Sequence, residues 1–271
     1  MAISQATISR YPPSKRGLSW AWNNPESLFA IYQPAINAKK LTWIFNWEMW
    51  APPLLPSTIE YVPQVRTERE APQIEAFLTA LHEQGKLHHF LSFNEPDIPS
   101  QANLSVPKAV ILWHEYVRPA KAKFGFRLGS PGMSSAPGGK KWLLNFFTEI
   151  GEVASKEIEF INLHWYGPSV DTLKGYLEDM HQTFRRPLWL TEFAYTYLQT
   201  ELPSPTESEA EEFLTKALPM LDACPYLERY AHFGTVRDVG NWVGMANNFV
   251  VGEVANQDAK LTRVGRIYTE R

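Results

Sequence analysis

The sequence is poor in cysteine, in surplus basic charge and in long apolar runs. Cys224 is the single cysteine in 271 residues. That excludes an intrachain disulfide and a cysteine-based zinc cluster, and a lone cysteine ordinarily serves as a small buried apolar residue. The net charge is −3. No basic excess exists to attract nucleic acid or acidic lipid, so neither is expected as a partner. The apolar runs stop well short of the roughly 20 residues of a membrane helix. The opening MAISQATISRYPP lacks a charged segment followed by an apolar one, so it does not read as a signal peptide. Retention in the cell and removal of a signal both stay open. Neither GxGxxG nor a GxxxxGK turn followed by Ser or Thr occurs, which argues against a doubly wound nucleotide-binding sheet. HxH and HExxH are also missing, and His88 and His89 precede a strand rather than end one. No metal or cofactor is expected.

What is present is an alternation. Short aromatic and β-branched runs predict strands over Gly17–Trp22, Thr42–Trp47, Glu60–Val65 and Phe90–Asn94. Four more follow over Phe126–Ser130, Phe160–Trp165, Leu188–Phe193 and Arg229–Thr235. Helices are predicted over Pro72–Gln84, Val106–Lys123, Lys141–Ile150, Thr172–Thr183 and Glu207–Leu221. The first carries Ile74, Phe77, Leu78 and Leu81 on one face and stops at Gly85. A closing helix is expected near the C-terminus after a long loop. Eight strands alternating with helices give parallel β/α units, and eight is the number that closes a barrel. The fold class expected is α/β, a single (β/α)8 barrel over residues 1–271, with residues 1–14 as an extended N-terminal segment. An open doubly wound sheet is the main alternative.

Two strand ends carry carboxylates. FLSFNEPD leads an apolar strand into Asn94 and Glu95, and Pro96 ends it because proline cannot donate to a ladder. PLWLTEFAY leads Leu188, Trp189 and Leu190 into Glu192, among bulky apolar neighbours. A carboxylate buried there costs several kcal/mol unless paired or functional. A surface loop for Glu95 and a structural ion pair for Glu192 are the plain accounts. Both weaken when two glutamates end two parallel strands, because that rim of a barrel holds catalytic groups. Glycoside hydrolysis needs such a pair, one protonated and one ionised. Asn94 fits as a donor to a sugar 2-hydroxyl. INLHWYG places His164 and Tyr166 on the same side of a strand. His164 suits orienting a carboxylate or binding a hydroxyl, and Tyr166 suits contact with the nucleophile. Glu48 is a third, competing carboxylate. Aromatic residues reach 13%, and Trp22, Trp47, Trp165 and Trp242 are expected as flat platforms for sugar rings, with core packing as the plain alternative.

These motifs together, KRGLSWAWNNP, FLSFNEPDIPSQANLS, INLHWYG and PLWLTEFAY, resemble the β-1,3-glucanases of glycoside hydrolase family 128 over about Lys15 to Arg266. The resemblance implies a TIM barrel of a retaining clan, with Glu95 as acid/base on strand four and Glu192 as nucleophile on strand seven. Asn94, His164 and Tyr166 match the family's polar shell. It further implies β-1,3-glucan or laminari-oligosaccharides as substrate, endo cleavage, a monomer, and secretion or a cell-wall location with cytoplasm still open. The two carboxyl groups would then stand about 5–5.5 Å apart. Exo action on β-1,3-glucan, a β-1,4-glycanase and a non-catalytic β-glucan-binding protein are the alternatives. Two departures, Gln64-Val65-Arg66-Thr67 after the third strand and His232 where the family commonly has Trp, fall where substrate subsites are expected.

Overall fold

The computed structural model describes residues 14–197, 204–235, 243–253 and 258–271. Eight short strands follow one another in chain order, with a helix between each successive pair except β2 and β3. They are β1 (Arg16–Ser19), β2 (Trp43–Phe45), β3 (Glu60–Tyr61), β4 (His89–Phe90), β5 (Arg127–Leu128), β6 (Ile161–Gly167), β7 (Leu188–Tyr195) and β8 (Leu227–His232). Every pairing among them is parallel. Strands β3, β2, β1, β8, β7 and β6 are hydrogen-bonded in that order, and β4 pairs with β5. Parallel bridges from Gln64 to Leu91 and from Gly129 to Phe160 join the two groups at both seams. Each strand therefore has two neighbours, and the ring closes as the expected barrel. The third predicted strand is cut short at Pro63, which has no N–H to give. Leu91 N–H bonds the Pro63 carbonyl, and Val65 N–H then reaches the Leu91 carbonyl.

The barrel interior is filled by residues from six strands or their immediate ends. Trp43, Phe45, Val62, Leu91, Phe160, Trp189 and Ala231 form one buried cluster. Below it, Glu60 is fully buried and bonds the Arg229 guanidinium at 2.6 Å and His89 Nδ1 at 2.6 Å. Burial alone would raise the Glu60 carboxyl. The charge on Arg229 and the hydrogen bond and charge from His89 outweigh it and hold the group at about 2. Arg229 is also sandwiched by rings, with its guanidinium 4.4 Å from the Trp189 centroid. Among the described residues this end of the barrel is thus closed by an ion pair and aromatics.

Outward-facing strand residues pack on a helical layer. That layer comprises α1 (Phe29–Asn37), α2 (Ile74–Glu83), α3 (Val106–Leu112), α4 (Arg118–Phe124), α5 (Gly139–Glu149), α6 (Glu152–Lys156), α7 (Val170–Phe184), α8 (Glu207–Ala223) and α9 (Arg263–Glu270). Leu188, Leu190 and Phe193 of β7 join Leu173, Leu177, Phe213 and Leu214 of α7 and α8 in the main core. Each fully buried side chain of this kind stabilises the fold by about 1.5–3 kcal/mol. The helix predicted over Val106–Lys123 is interrupted by a π turn at Trp113–Val117 between α3 and α4. Pro119 follows that turn and lacks the N–H that would bond the carbonyl of Glu115, which favours the wider turn. Helix α1, which carries Pro34, and the short α6 were not expected from the sequence. No helix among the described residues is long and apolar enough to cross a membrane.

Candidate active site

Glu95 lies in the loop beyond β4 and Glu192 within β7 rather than at its end, yet their side chains meet, and neither gets there by simple strand alternation. Residue Glu95 takes a left-handed φ of 43°, which turns its side chain off the strand path at a cost of about 1–3 kcal/mol. Its loop is held on both sides. Glu95 N–H bonds the Gly132 carbonyl at 2.8 Å, Asn94 N–H bonds the Arg66 carbonyl at 3.0 Å, and the Ser134 hydroxyl bonds Asp97. In β7 the register slips. Leu190 pairs with Leu163, but His164 pairs with Glu192. The extra residue is a β-bulge, so Thr191 and Glu192 both face inward. Thr191 Oγ1 donates to Asn162 Oδ1 at 2.6 Å, one layer beneath the carboxylates.

His164 lies between the two glutamates. Its Nδ1 is 2.8 Å from Glu95 Oε1 and its Nε2 is 3.3 Å from Glu192 Oε1. Burial would lower the imidazole pKa, but the charge on Glu192 and the hydrogen bond and charge of Glu95 outweigh it and raise it. One ligand atom from each of the three residues lies within 4.8 Å of the others. The spacing suits a cation, yet opposite ring nitrogens face the two carboxylates. A charge-assisted hydrogen bond to Glu95 with a longer ion-pair contact to Glu192 fits this geometry better than a chelate.

The surroundings of the two carboxylates differ. Glu192 is buried, and both its oxygens accept hydrogen bonds from fixed donors. Trp47 Nε1–H donates to Oε1 at 2.6 Å, and the Tyr166 hydroxyl donates to Oε2 at 2.6 Å. Burial pushes its pKa up; His164 and these two donors pull it back toward the ionised form. Glu95 Oε2 has no protein partner among the described residues, and the side chain is 12% exposed. That oxygen is free to carry a proton to a leaving group. The arrangement provides one carboxylate held by donors on both oxygens and one with an open oxygen, side by side at the barrel mouth.

Several other expected residues fall in different places. Asn94 is buried beside Glu95, with Gln64 Nε2 at 3.5 Å from its Oδ1 and its own Nδ2 donating to Gln101 at 3.4 Å. Trp47 belongs to the catalytic centre as a donor rather than to an outer platform. It too has a left-handed φ, 60°. Trp22 is 67% exposed at the rim. Trp165 is no platform. The two-residue period that turns His164 and Tyr166 inward turns it outward, where it stacks on Phe213 of α8 with centroids 5.8 Å apart. His232 also faces outward, stacked on Phe249 at 4.9 Å, so that departure does not touch a subsite. The aromatic contributed by that strand end is Phe233, against Trp47 and Tyr166 at 5.8 and 5.7 Å. Its position directly after His232 was the available signal. Arg66 does lie at the mouth, 3.7 Å from Glu48. Trp242 lies outside the described residues.

A profile of the glycosyl hydrolase catalytic core matches residues 17–268. The chain belongs to that family. It is 30% identical over 258 residues to the alkali-sensitive linkage protein 1 of Schizosaccharomyces pombe. The match covers 94% of this chain but 44% of that relative, so the chain spans under half the relative's length. Among solved structures it is similar to a curdlan-specific exo-β-1,3-glucanase of family 128 from Blastomyces gilchristii, with 31% identity and a TM-score of 0.75. That alignment covers 96% of this chain and 100% of the other. A family 128 endo-β-1,3-glucanase from Amycolatopsis mediterranei, in complex with laminaritriose, gives 26% identity and a TM-score of 0.72. There the shares are 94% and 98%. Endo- and exo-acting neighbours thus share this fold.

Proposed function

We propose that this glycoside hydrolase cleaves β-1,3-glucan with retention of anomeric configuration, Glu192 acting as nucleophile and Glu95 as acid/base. The observation that carries the reading is the close carboxylate pair, bridged by His164, with one oxygen of each glutamate within 4.8 Å of one of the other. Retaining pairs stand about 5–5.5 Å apart, whereas inverting pairs need roughly 6.5–9.5 Å to admit a water. The roles follow from the hydrogen bonds. Glu192, held by Trp47 and Tyr166, attacks the anomeric carbon. Glu95 protonates the glycosidic oxygen and then takes the proton from the incoming water. His164 balances the charge of the pair as it passes between them. In this scheme the Asn94 amide donates to the 2-hydroxyl of the sugar, a bond that strengthens in the transition state.

The substrate class is supported by the family 128 neighbours that act on β-1,3-glucan. Endo cleavage is the primary reading. Exo cleavage is the second, favoured by the 31% identity to the exo-acting neighbour. A polymeric wall glucan as substrate carries with it a secreted or wall-bound location and a chain working as a monomer. The test is a product profile on laminarin and curdlan against carboxymethyl cellulose, with the first-formed anomer read by NMR. Early mixed oligosaccharides of β configuration are expected, and none from Glu192→Gln. A first-formed α anomer, or cleavage confined to carboxymethyl cellulose, would refute it.

A further inference from the structure

Strand β7 spends one residue more than either neighbour across the layer that carries Glu192. Leu190 pairs with Leu163, and Glu192 with His164, on β6. On the other side Leu190 pairs with Tyr230, and Phe193 with His232. Thr191 is the residue in excess, and both neighbouring strands must accommodate it. Its side chain is fully buried, and its hydroxyl donates to Asn162 Oδ1 at 2.6 Å. Asn162 stands two residues before His164, so strand alternation turns both side chains the same way. The pair Thr191–Asn162 therefore lies one layer beneath the pair Glu192–His164.

The backbone of Asn162 is fixed by the strand beside it. Its N–H donates to the Ser130 hydroxyl oxygen at 3.0 Å, and its carbonyl accepts from Met133 N–H at 3.1 Å. The side chain is fully buried, yet among the described residues its Nδ2 has no hydrogen-bond partner. A buried donor without a partner destabilises a fold. An apolar side chain would avoid that cost, which leaves the Oδ1 acceptor as the use of the amide here. Gly132 makes the room. A β-carbon there would stand 2.7 Å from Asn162 Nδ2 and 3.3 Å from His164 Nε2, so only glycine leaves the amide where it is.

We infer that the Thr191–Asn162 hydrogen bond fixes the bulge of β7 and so aims the Glu192 carboxylate at Trp47, Tyr166 and His164. Thr191 and Asn162 are positioning residues that act through Glu192, and Gly132 gives Asn162 its space. The kinetic consequence rests on the β-1,3-glucanase reading above. Without the bond the extra inward residue has nothing to hold its side chain, and Glu192 loses its aim at donors 2.6 Å away. A misplacement of about 1 Å at a reacting group can lower the rate roughly a hundredfold.

Thr191→Val removes the hydroxyl and keeps the shape, whereas Thr191→Ser keeps the hydroxyl. On laminarin, Thr191→Val should lose roughly ten- to a hundredfold in kcat with KM nearly unchanged. The acid limb of its kcat–pH profile should move upward as the donors to Glu192 loosen. Thr191→Ser should restore most of the rate. Asn162→Ala should behave like Thr191→Val, and the double variant should lose no more than either alone, because both remove one bond. Losses that add, or a serine variant no better than valine, would overturn the coupling. NMR gives a readout without substrate. The Trp47 indole proton, identified by its loss in Trp47→Phe, should resonate far downfield in wild type and shift upfield in Thr191→Val and Asn162→Ala. An indole proton unmoved in both folded variants would refute the inference. If wild type cleaves no β-1,3-glucan, the glucanase reading fails separately, and the indole proton still decides the bulge. Should Thr191→Val not fold, Asn162→Ala and Gly132→Ala, which crowds the amide, carry the same test.

Discussion

Tyr166→Phe isolates one hydrogen bond at the catalytic centre. The ring is buried and packs edge-on against Phe233, and phenylalanine preserves that packing. What goes is the hydroxyl that donates to Glu192 Oε2 at 2.6 Å. A bond of that length to a charged acceptor in a dry site contributes about 1.5–3 kcal/mol net. It favours the ionised carboxylate, so its loss should raise the Glu192 pKa further. Burial already pushes this group up, and the substitution removes one of the forces opposing that rise. The nucleophile works only when ionised, so activity is lost as pH falls through its pKa. The acid limb of kcat on laminarin should therefore shift upward. At the wild-type optimum kcat should fall about ten- to a hundredfold, one decade for each 1.36 kcal/mol of lost transition-state stabilisation. The assay is reducing-sugar release across the pH range, with thermal melts to confirm folding. An unmoved acid limb in a folded, active variant would show that Tyr166 does not hold the nucleophile.

Glu192→Gln and Glu95→Gln should each lose about 10³-fold or more in kcat while still binding laminarihexaose by calorimetry; a tenth of wild-type activity in either one would defeat the assignment. Stability should fall with acid. Buried His232 is lowered to about 3, so the folded chain refuses a proton that the unfolded chain takes near 6.5, and about 4–5 kcal/mol should be lost between these values. Glu60, held at about 2, contributes in the same direction, and roughly 3 kcal/mol more should be lost as pH falls from 4.5 to 2. Urea midpoints at pH 7, 5 and 4 check this, and His232→Phe should be less stable at pH 7 but flatter with pH. Trp165→Ala should cost about 3–5 kcal/mol in stability as a core cavity, whereas Trp22→Ala should leave the melting temperature almost unchanged and weaken oligosaccharide binding.

The strands, their order and the two strand-end glutamates could be read from the chain because they depend on local facts. Alternating apolar runs set the strands, although the fourth is a strand only over His89–Phe90 and stops well before Pro96. The side on which Glu192 points could not be read that way. Counting by twos from inward-facing Trp189 puts Thr191 inside and Glu192 outside. Only the bulge opposite Leu163 and His164 brings both into the barrel. A bulge is decided by the fit between neighbouring strands, which no single segment specifies.

Trp47 and Trp165 show the same division between local and non-local information. Both follow apolar strand residues, and both look like sugar platforms in the linear sequence. Strand alternation, applied strictly from His164, already assigned Trp165 to the outer core. The reassignment of Trp47 needed a left-handed φ of 60°, which a bulky residue adopts only under outside constraint. That constraint is supplied by Asn46 and Tyr61, one adjacent in sequence and one on the next strand. The strain is located where the turn meets Glu192. A conformation costly to the free backbone is therefore maintained at the point where the Trp47 indole reaches the buried carboxylate.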